Sequence, residues 1–535
     1  MANPSLQIGN SNWAIKESNL LGYSTAGTRF VPESITMTRA SAGTRVNSSG
    51  LVETVELLGS ESVTNGDFAT DSNWSKNNGI TISGGSANFT GLSGQYLSQN
   101  IGLVLGKTYF LSFDVSVFTG GTLTIFAGAG NNLSSLFPVN STGTYTGSFV
   151  AGGVDSKIYF GSLFTGSIDN VSVKESTKNN LARVDYDGTA SSLLVEPQRT
   201  NLLPYSEDFS SNWTTSNLSV VEHSTTSPSG ETNADKLVED SSNSSHSIRY
   251  ASPNTPVTNG VVYTMSFFAK KEERTSIRIS NAAMSNTNGK FNLSNGQVIS
   301  SGSSATNSMV DYGNGWYRCI MTFTSTTTIA QANIAILNAN NDITYQGDGS
   351  SGLYMWGVQI EAGSYGTSYI PTSGSTVTRV QETYSKTGIS NLINSEEGVL
   401  FGEIAALSDD GTDRQICLRD DTWTNRMFLR LDASSNQITF RYYIGGSLTV
   451  NLIHTLTDIT IFNKIACKWE LNKFKLYVNG DKVAEDLSAN VMGADLMNRI
   501  AFDDGLGTNV FYGKVKQLQV FKTALTDSEL IALTT

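Results

Sequence analysis

The sequence predicts an all-β chain built of tandem antiparallel β-sandwiches, and three observations carry that expectation. Helical periodicity is almost absent; apolar residues instead alternate over short runs punctuated by Gly, Asn and Ser, the pattern of half-buried strands. Charged residues make up only 15% of the 535 positions, against about 25% in an ordinary soluble protein, so the polar surface is hydroxyl and amide rather than ionic. Finally, one series of strand patterns occurs twice, in the same order and with the same face parity.

The first copy opens with NGDFATDSNW, continues through TYFLSFDVS and GTYTGSFVA, and closes with GSIDNVSVKE. The second opens with YSEDFSSNW, continues through VYTMSFFAK and WYRCIMTFT, and closes with GLYMWGVQIEAG. Asp67-Phe68 aligns with Asp208-Phe209, Trp74 with Trp213, and Ser112-Phe113 with Ser266-Phe267. Each copy, a series of short strands, fits an antiparallel sandwich of jelly-roll type. Near Asn391 Ser and Thr thin out, which marks a boundary. The strands beyond it include QITFRYYI, KIACKWEL and the hairpin KFKLYVNGDKVAE, whose Asn479-Gly480 pair is a type I′ turn signal. Thr526-Asp527-Ser528-Glu529 is a capping box that opens a short C-terminal helix.

Composition narrows the function classes. With 47 acidic against 35 basic residues the net charge is −12, and no Lys/Arg run occurs, so nucleic acid is not an expected partner. No apolar stretch approaches the roughly 20 residues of a membrane-spanning helix, and membrane insertion is not expected. The first residues lack the basic head and apolar run of a secretion signal. Three scattered cysteines, Cys319, Cys417 and Cys467, make no disulfide framework, so the expectation is a chain made in a reducing cytosol.

Residues 191–379 carry SSLLVEPQRTNLLPYSEDFSSNW, ADKL, YTMSFFAK, GNGWYRCIMTF and YMWGVQIEAGSYGTSYIPTSGSTVTR. This set resembles a carbohydrate-binding-like module that recurs in tailed-phage fibre, spike and tail proteins. TMTRASAGTRVNSSGLVETVE, at 36–56, resembles the segment that normally precedes it, and NLARVDYDGTASSLLVEPQRTN resembles its continuation. The resemblance therefore implies that the first jelly roll is inserted between them, and that copy resembles galactose-binding-like modules that open with NGDF and close with IDNVSV. The LYVNG hairpin and the closing VFKTALTDSELIAL resemble a laminin-G or concanavalin-A-like sandwich. Gly513-Lys514-Val515-Lys516 departs from that family by carrying a base where an acid is usual. The expected division is an N-terminal attachment segment at 1–56, the inserted roll at 57–177 and a return segment at 178–200. The second roll with its trailing linker follows at 201–379, and the concanavalin-A-like sandwich at 380–535.

Catalytic spacings are missing from the sequence. His223, His246 and His454 show no HExxH, and there is no GxSxG elbow or Walker-type loop. Acidic clusters exist at Glu396-Glu397, Glu403, Asp409-Asp410 and Asp503-Asp504, but not in the strand alternation of concanavalin-like glycanases. Saccharide binding is the better-supported chemistry, because aromatic rings flanked by amide and hydroxyl groups suit the apolar faces of sugars. Parity places Phe110, Ser112 and Asp114 on the polar face of their strand, and Phe268, Trp316 and Arg318 on that of the second copy. Trp423 and Tyr443 are candidates in the third domain. No cofactor is required; the galactose-binding-like resemblance adds a candidate structural calcium on Asn65, Asp67 and Asp169.

The functional expectation is a non-enzymatic virion protein of a tailed phage, a tail or head fibre or spike that attaches to host cell-surface polysaccharide. Its N-terminal segment would dock on other virion proteins, and the class implies a homotrimer whose sites act by avidity. The alternatives are a purely structural capsid- or tail-decorating protein and a polysaccharide-depolymerising tailspike enzyme.

Overall fold

The computed structural model describes every residue except 1, 12, 27–28, 78, 211 and 251–254. Antiparallel strands dominate it, as the alternation predicts. The chain divides into two compact units, residues 56–178 and residues 1–55 together with 179–535.

In residues 56–178 one sheet runs in the order Gly143–Val150, Thr108–Gly120, Thr165–Thr177, Ser86–Thr90, Ile80–Ser83, with Leu57–Glu61 paired to the far end of Thr165–Thr177. The other runs Thr124–Ala127, Lys157–Gly161, Tyr96–Asn100, Ser75–Lys76. Tyr109, Leu111, Phe113 and Val115 alternate into the core between them. Phe110, Ser112 and Asp114 face outward, half-buried.

The second roll repeats this plan. One of its sheets runs Leu218–Thr225, Ala234–Glu239, Gly352–Ala362, Val262–Lys271, Trp316–Thr324, Thr306–Asp311. The other runs Trp213–Ser216, Ser247–Tyr250, Ala332–Leu337, Ser276–Asn281, Asn288–Asn292, Gln297–Ser301. Strand for strand this is the order of residues 56–178, extended at the edges. Even the bulge recurs: the ladder slips after Ser112 and after Ser266, so that Asp114 pairs with Asp169 and Phe268 with Trp356. The opening motif does the same work in both copies. Phe68 and Trp74 pack with ring centroids 5.3 Å apart, Phe209 and Trp213 with 5.4 Å. Each indole N–H donates to a backbone carbonyl, of Asn65 or Tyr205, so that a large ring is buried without an orphaned donor.

The C-terminal strands form a third core. Asn479 and Gly480 adopt φ of 48° and 96°, the left-handed pair that a type I′ hairpin requires. Thr526 and Glu529 close the expected capping box on the helix Asp527–Thr534. The N-terminal segment departs from expectation. The strand Gly513–Phe521 pairs along one edge with Gly398–Ala406; along its other edge it takes Leu6–Gly9 and then Leu193–Val195. Leu6, Ile8, Leu20, Ile35 and Met37 are buried in this same core. Residues 1–56, read on length as an attachment segment, thus supply strands to the C-terminal sandwich, because an open edge on the closing strand would be a site for unwanted pairing. The unusual base is explained here too: Lys514 reaches Asp185 of the returning chain at 2.9 Å.

The second roll and the C-terminal sandwich share a buried ionic network. Glu382 takes Arg39 at 2.5 Å and both arms of Arg183, at 2.8 and 2.7 Å. Glu196 binds Arg183 at 2.7 Å and Arg379 at 3.1 Å, and accepts the amide of Ser368 at 2.8 Å. Further guanidinium hydrogens go to the carbonyls of Leu181, Thr44 and Pro197, while the buried Nε of Arg379 has no acceptor among the described residues. Gly43 makes room for this packing, since a Cβ there would come within 2.9 Å of Arg39 Cζ and 3.1 Å of Arg183 Cδ. Burial alone would raise both carboxyls, but the guanidinium charges outweigh it and hold Glu382 and Glu196 below the ordinary carboxylate range. Such a pair stabilises the fold above the unfolded pKa of about 4.3 and loses its contribution as pH falls below it. Removing one partner strands a buried charge. Glu382→Ala is therefore expected to cost about 3–5 kcal/mol by denaturant titration at neutral pH. A loss under about 1 kcal/mol, within the range of ordinary surface exchanges, would contradict this account.

Candidate functional site

The structure places the sequence candidates in three different situations. Phe268, Trp316 and Arg318 do lie on the outward face of their sheet, but that face is covered, and they are only 0%, 2% and 3% exposed. The cover is the trailing linker, the segment around residues 44–54 and the loop that follows Leu218–Thr225. Arg318 donates to the carbonyl of Thr367 at 2.6 Å, Trp316 Nε1 to that of Thr226 at 3.0 Å, and Val52 and Tyr369 pack in the same aromatic cluster. These three residues make a seam, not a platform. Trp423 and Tyr443 are half-exposed, but Arg426 fills the space between them, with its Cζ 3.5 Å and 3.8 Å from the two ring centroids. A protein cation already occupies those ring faces.

Phe110, Ser112 and Asp114 keep their outward face partly open. Asp114 accepts from Thr144 Oγ1 at 2.6 Å and from Asn170 Nδ2 at 2.8 Å, so the face is a row of hydroxyl, amide and carboxylate groups already bonded to one another. The calcium candidates do not fit a cation site. Asn65 gives its amide to the carbonyls of Thr70 and Ser72 at 2.8 and 2.9 Å, and its Oδ1 accepts the amide of Thr70. Asp169 accepts the amide of Asn170 at 2.6 Å, and Asp67 that of Ala69 at 3.3 Å. The opening loop meets the closing strand through Val171 N–H to Gly66 O, 2.9 Å. Among the described residues no group of three His, Cys, Asp or Glu is arranged to hold a metal ion.

A better-formed site lies on the outward face of the smaller sheet of residues 56–178. In Lys157–Gly161, Ile158 and Phe160 point into the core, so Tyr159 points out; in Thr124–Ala127, Ile125 and Ala127 point in, so Phe126 points out. Tyr159 pairs directly with Phe126, and Tyr96, 44% exposed, stands one strand over. These rings, with Thr124, Gln95 and Ser162, line a cleft of about 430 Å³. Gly161 keeps the floor flat: it is opposite both Tyr96 and Thr124, and a Cβ there would come within 2.5 Å of the carbonyl of Gln95. Asp155 fixes the central ring by accepting from the Tyr159 hydroxyl at 2.5 Å, and it also accepts the amides of Lys157 and Ala129. That hydrogen bond, then burial, pushes the Tyr159 hydroxyl up to about 12. Burial works against the Asp155 carboxylate, but its three donors prevail and hold it below the usual range. Such a cleft can stack the C–H face of a ring and bond its hydroxyls. Parity identifies each outward aromatic within its own strand; their convergence needs the sheet order.

The second roll holds a pocket of different character, about 480 Å³, lined by Glu207, Asp208, Glu222, His223 and Asp235. Burial pushes the Asp235 carboxyl up to about 6, against the amide of His223, which donates to it at 2.9 Å; Glu222 and Asp208 add to the rise. A raised carboxyl binds its proton more tightly in the folded state, so the ionised group costs stability above pH 6 and that cost vanishes as pH falls through the window from about 6 to 3.8. Asp235→Asn is expected to stabilise the chain by about 1–2 kcal/mol at pH 7, water in the pocket limiting the gain. Melting curves at pH 7 and near pH 4 check this: the gain should disappear at the lower pH.

No protein-family model matches the chain, and no curated protein sequence does. Among solved structures, the CBM40 of Ruminococcus gnavus IT-sialidase is similar at 18% identity, covering 26% of this chain and 84% of its own, with a TM-score of 0.24. The CBM22-1–CBM22-2 tandem of Paenibacillus barcinonensis Xyn10C has 13% identity, covers 57% of this chain and 98% of its own, and scores 0.20. Trypanosoma rangeli sialidase in complex with sialic acid has 9% identity, covers 96% and 88%, and scores 0.22. Scores this low assign neither a family nor a ligand.

Proposed function

We propose that the chain is a non-catalytic glycan-binding protein whose primary site is the Tyr96–Phe126–Tyr159 cleft. The observation that carries this reading is the convergence of those rings on an outward sheet face beside the hydroxyls of Thr124 and Ser162, with Tyr159 locked by Asp155. Aromatic side chains that a fold positions but does not bury retain apolar surface for a partner, and a sugar ring offers a matching apolar face with a polar rim. A non-catalytic role suits the acidic clusters of the third domain, which organise their own loops. Asp410 binds Arg414, and Asp504 accepts the amides of Leu506 and Thr508. The sequence resemblance extends the proposal to a biological setting, a tailed-phage fibre or spike that attaches to host surface polysaccharide as a homotrimer.

The test is retention of the full chain on a panel of bacterial surface polysaccharides, with new reducing ends scored in the same samples. Retention without cleavage is expected. Tyr159→Ala and Phe126→Ala should each weaken binding about tenfold, the loss of one stacked ring. Melting should change little, since both side chains point away from the core. New reducing ends would overturn the non-catalytic reading. Retention untouched by both substitutions would remove the cleft from it, and no retention on any glycan would favour the structural, decorating alternative.

A further inference from the structure

The sheet of the second roll that corresponds to the cleft-bearing sheet shows a different chemistry on the same face. Trp74 and Trp213 begin the matching edge strands and fix the correspondence, so that Leu97 matches Ile248 and Phe160 matches Ile334. Ile248, Ile277, Ile279, Ile334 and Phe291 are buried in the core. Alternation then sets Arg249, Asn333, Arg278 and Lys290 outward, where the first copy presents its cleft. Arg249 stands opposite Asn333, and Arg278 directly opposite Lys290. From strand spacing and rise, the Cα atoms of Arg249 and Arg278 are about 12 Å apart, within reach of two arginines converging on one ligand.

Among the described residues none of these cations has an acidic partner. Arg249 is exposed and makes no hydrogen bond or ion pair among the described residues. Arg278 has only the hydroxyl of Ser280, at 3.0 Å, and its buried Nε has no acceptor. Lys290 donates to the carbonyl of Asn341 at 2.7 Å. Arg39, Arg183, Arg274, Arg414 and Arg430 meet carboxylates, and Arg318, Arg419 and Arg426, which form no ion pair among the described residues, donate to backbone carbonyls, whereas Arg249 and Arg278 have neither kind of acceptor among the described residues. A half-buried guanidinium without a counter-ion is costly, and burial lowers the pKa of Arg278 accordingly. The planar fork of arginine matches a carboxylate in two parallel hydrogen bonds.

We propose that this face is a second saccharide site, selective for glycans that carry a carboxylate, with Arg249 and Arg278 as its anion-binding residues. The inference rests on the glycan-binding reading above and names the ligand class. A site that combines arginine with Asn333 and Ser280 can bond both the acid and the hydroxyls of a uronic acid ring.

The full chain is tested at low and at physiological salt against polygalacturonate, dextran sulfate and neutral dextran, beside a neutral glycan already retained by the cleft. The expected result is binding to polygalacturonate that weakens with salt and falls about tenfold or more in Arg249→Ala and in Arg278→Gln. Both variants should keep the cleft's neutral ligand, and Tyr159→Ala should lose that ligand while keeping polygalacturonate. Arg249 is exposed, so its truncation leaves the fold intact. Retention of the neutral glycan with no binding to polygalacturonate would overturn this inference alone. Equal, Arg249-dependent binding of dextran sulfate, an RNA homopolymer or anionic lipid vesicles would also overturn it, by showing a plain charge surface. Absence of all saccharide binding would overturn the glycan-binding reading itself.

Discussion

Five side chains almost wholly removed from water, Arg39, Arg183, Arg379, Glu196 and Glu382, hold residues 1–55 and 179–535 in one arrangement. They come from the N-terminal segment, the returning chain and the linker behind the second roll. Each guanidinium would be intolerable there alone, and each carboxylate likewise. The network therefore specifies which distant segments meet, more than it adds net stability. The covered face of the second roll follows from it: once Thr44 and Ser368 are drawn into the cluster, the flanking chain must lie over Trp316, Arg318 and Phe268.

The same constraint explains how one sandwich plan serves different ends. The two rolls share strand order, bulge, opening plug and the buried Tyr that starts the central strand, Tyr109 or Tyr263, whose hydroxyl accepts a loop amide in both. They differ on their outward faces. In residues 56–178 the central strand keeps Phe110, Ser112 and Asp114 half-exposed, and the smaller sheet bears aromatic rings. In the second roll the central face is given over to the seam, and the sheet that corresponds to the cleft-bearing one bears cations. Diversity lies where the alternation points away from the core, which leaves the packing of each sandwich unchanged.

Much of this was legible in the sequence, because a strand's inward and outward residues are set by a period of two. Alternation identified the strands, the duplication and the correct face for Trp316 and Arg318. It could not show that face covered, because the covering residues lie far off in sequence. The cleft escaped for a related reason: Tyr96, Phe126 and Tyr159 sit on three strands whose adjacency is a property of the sheet. The motif behind the strongest resemblance, with Arg39, Arg183, Glu196 and Arg379, proves to be the ionic seam. Recognisable sequence here marks scaffold, and the candidate sites lie in stretches without a signature. Length alone does not show that the N-terminal segment joins the C-terminal core, since a short run of strands needs no core of its own when it completes another's edge.

The central claim is that sugar is held on the smaller-sheet face of residues 56–178 by a cleft already formed in the free protein. Hydrogen–deuterium exchange of the full chain, with and without a retained oligosaccharide, tests it most directly. The account predicts slowed exchange in Gln95–Ser98, Thr124–Gly130 and Tyr159–Ser162, with the ionic seam unchanged. Protection confined to other surfaces, or protection spread through the seam, would contradict it.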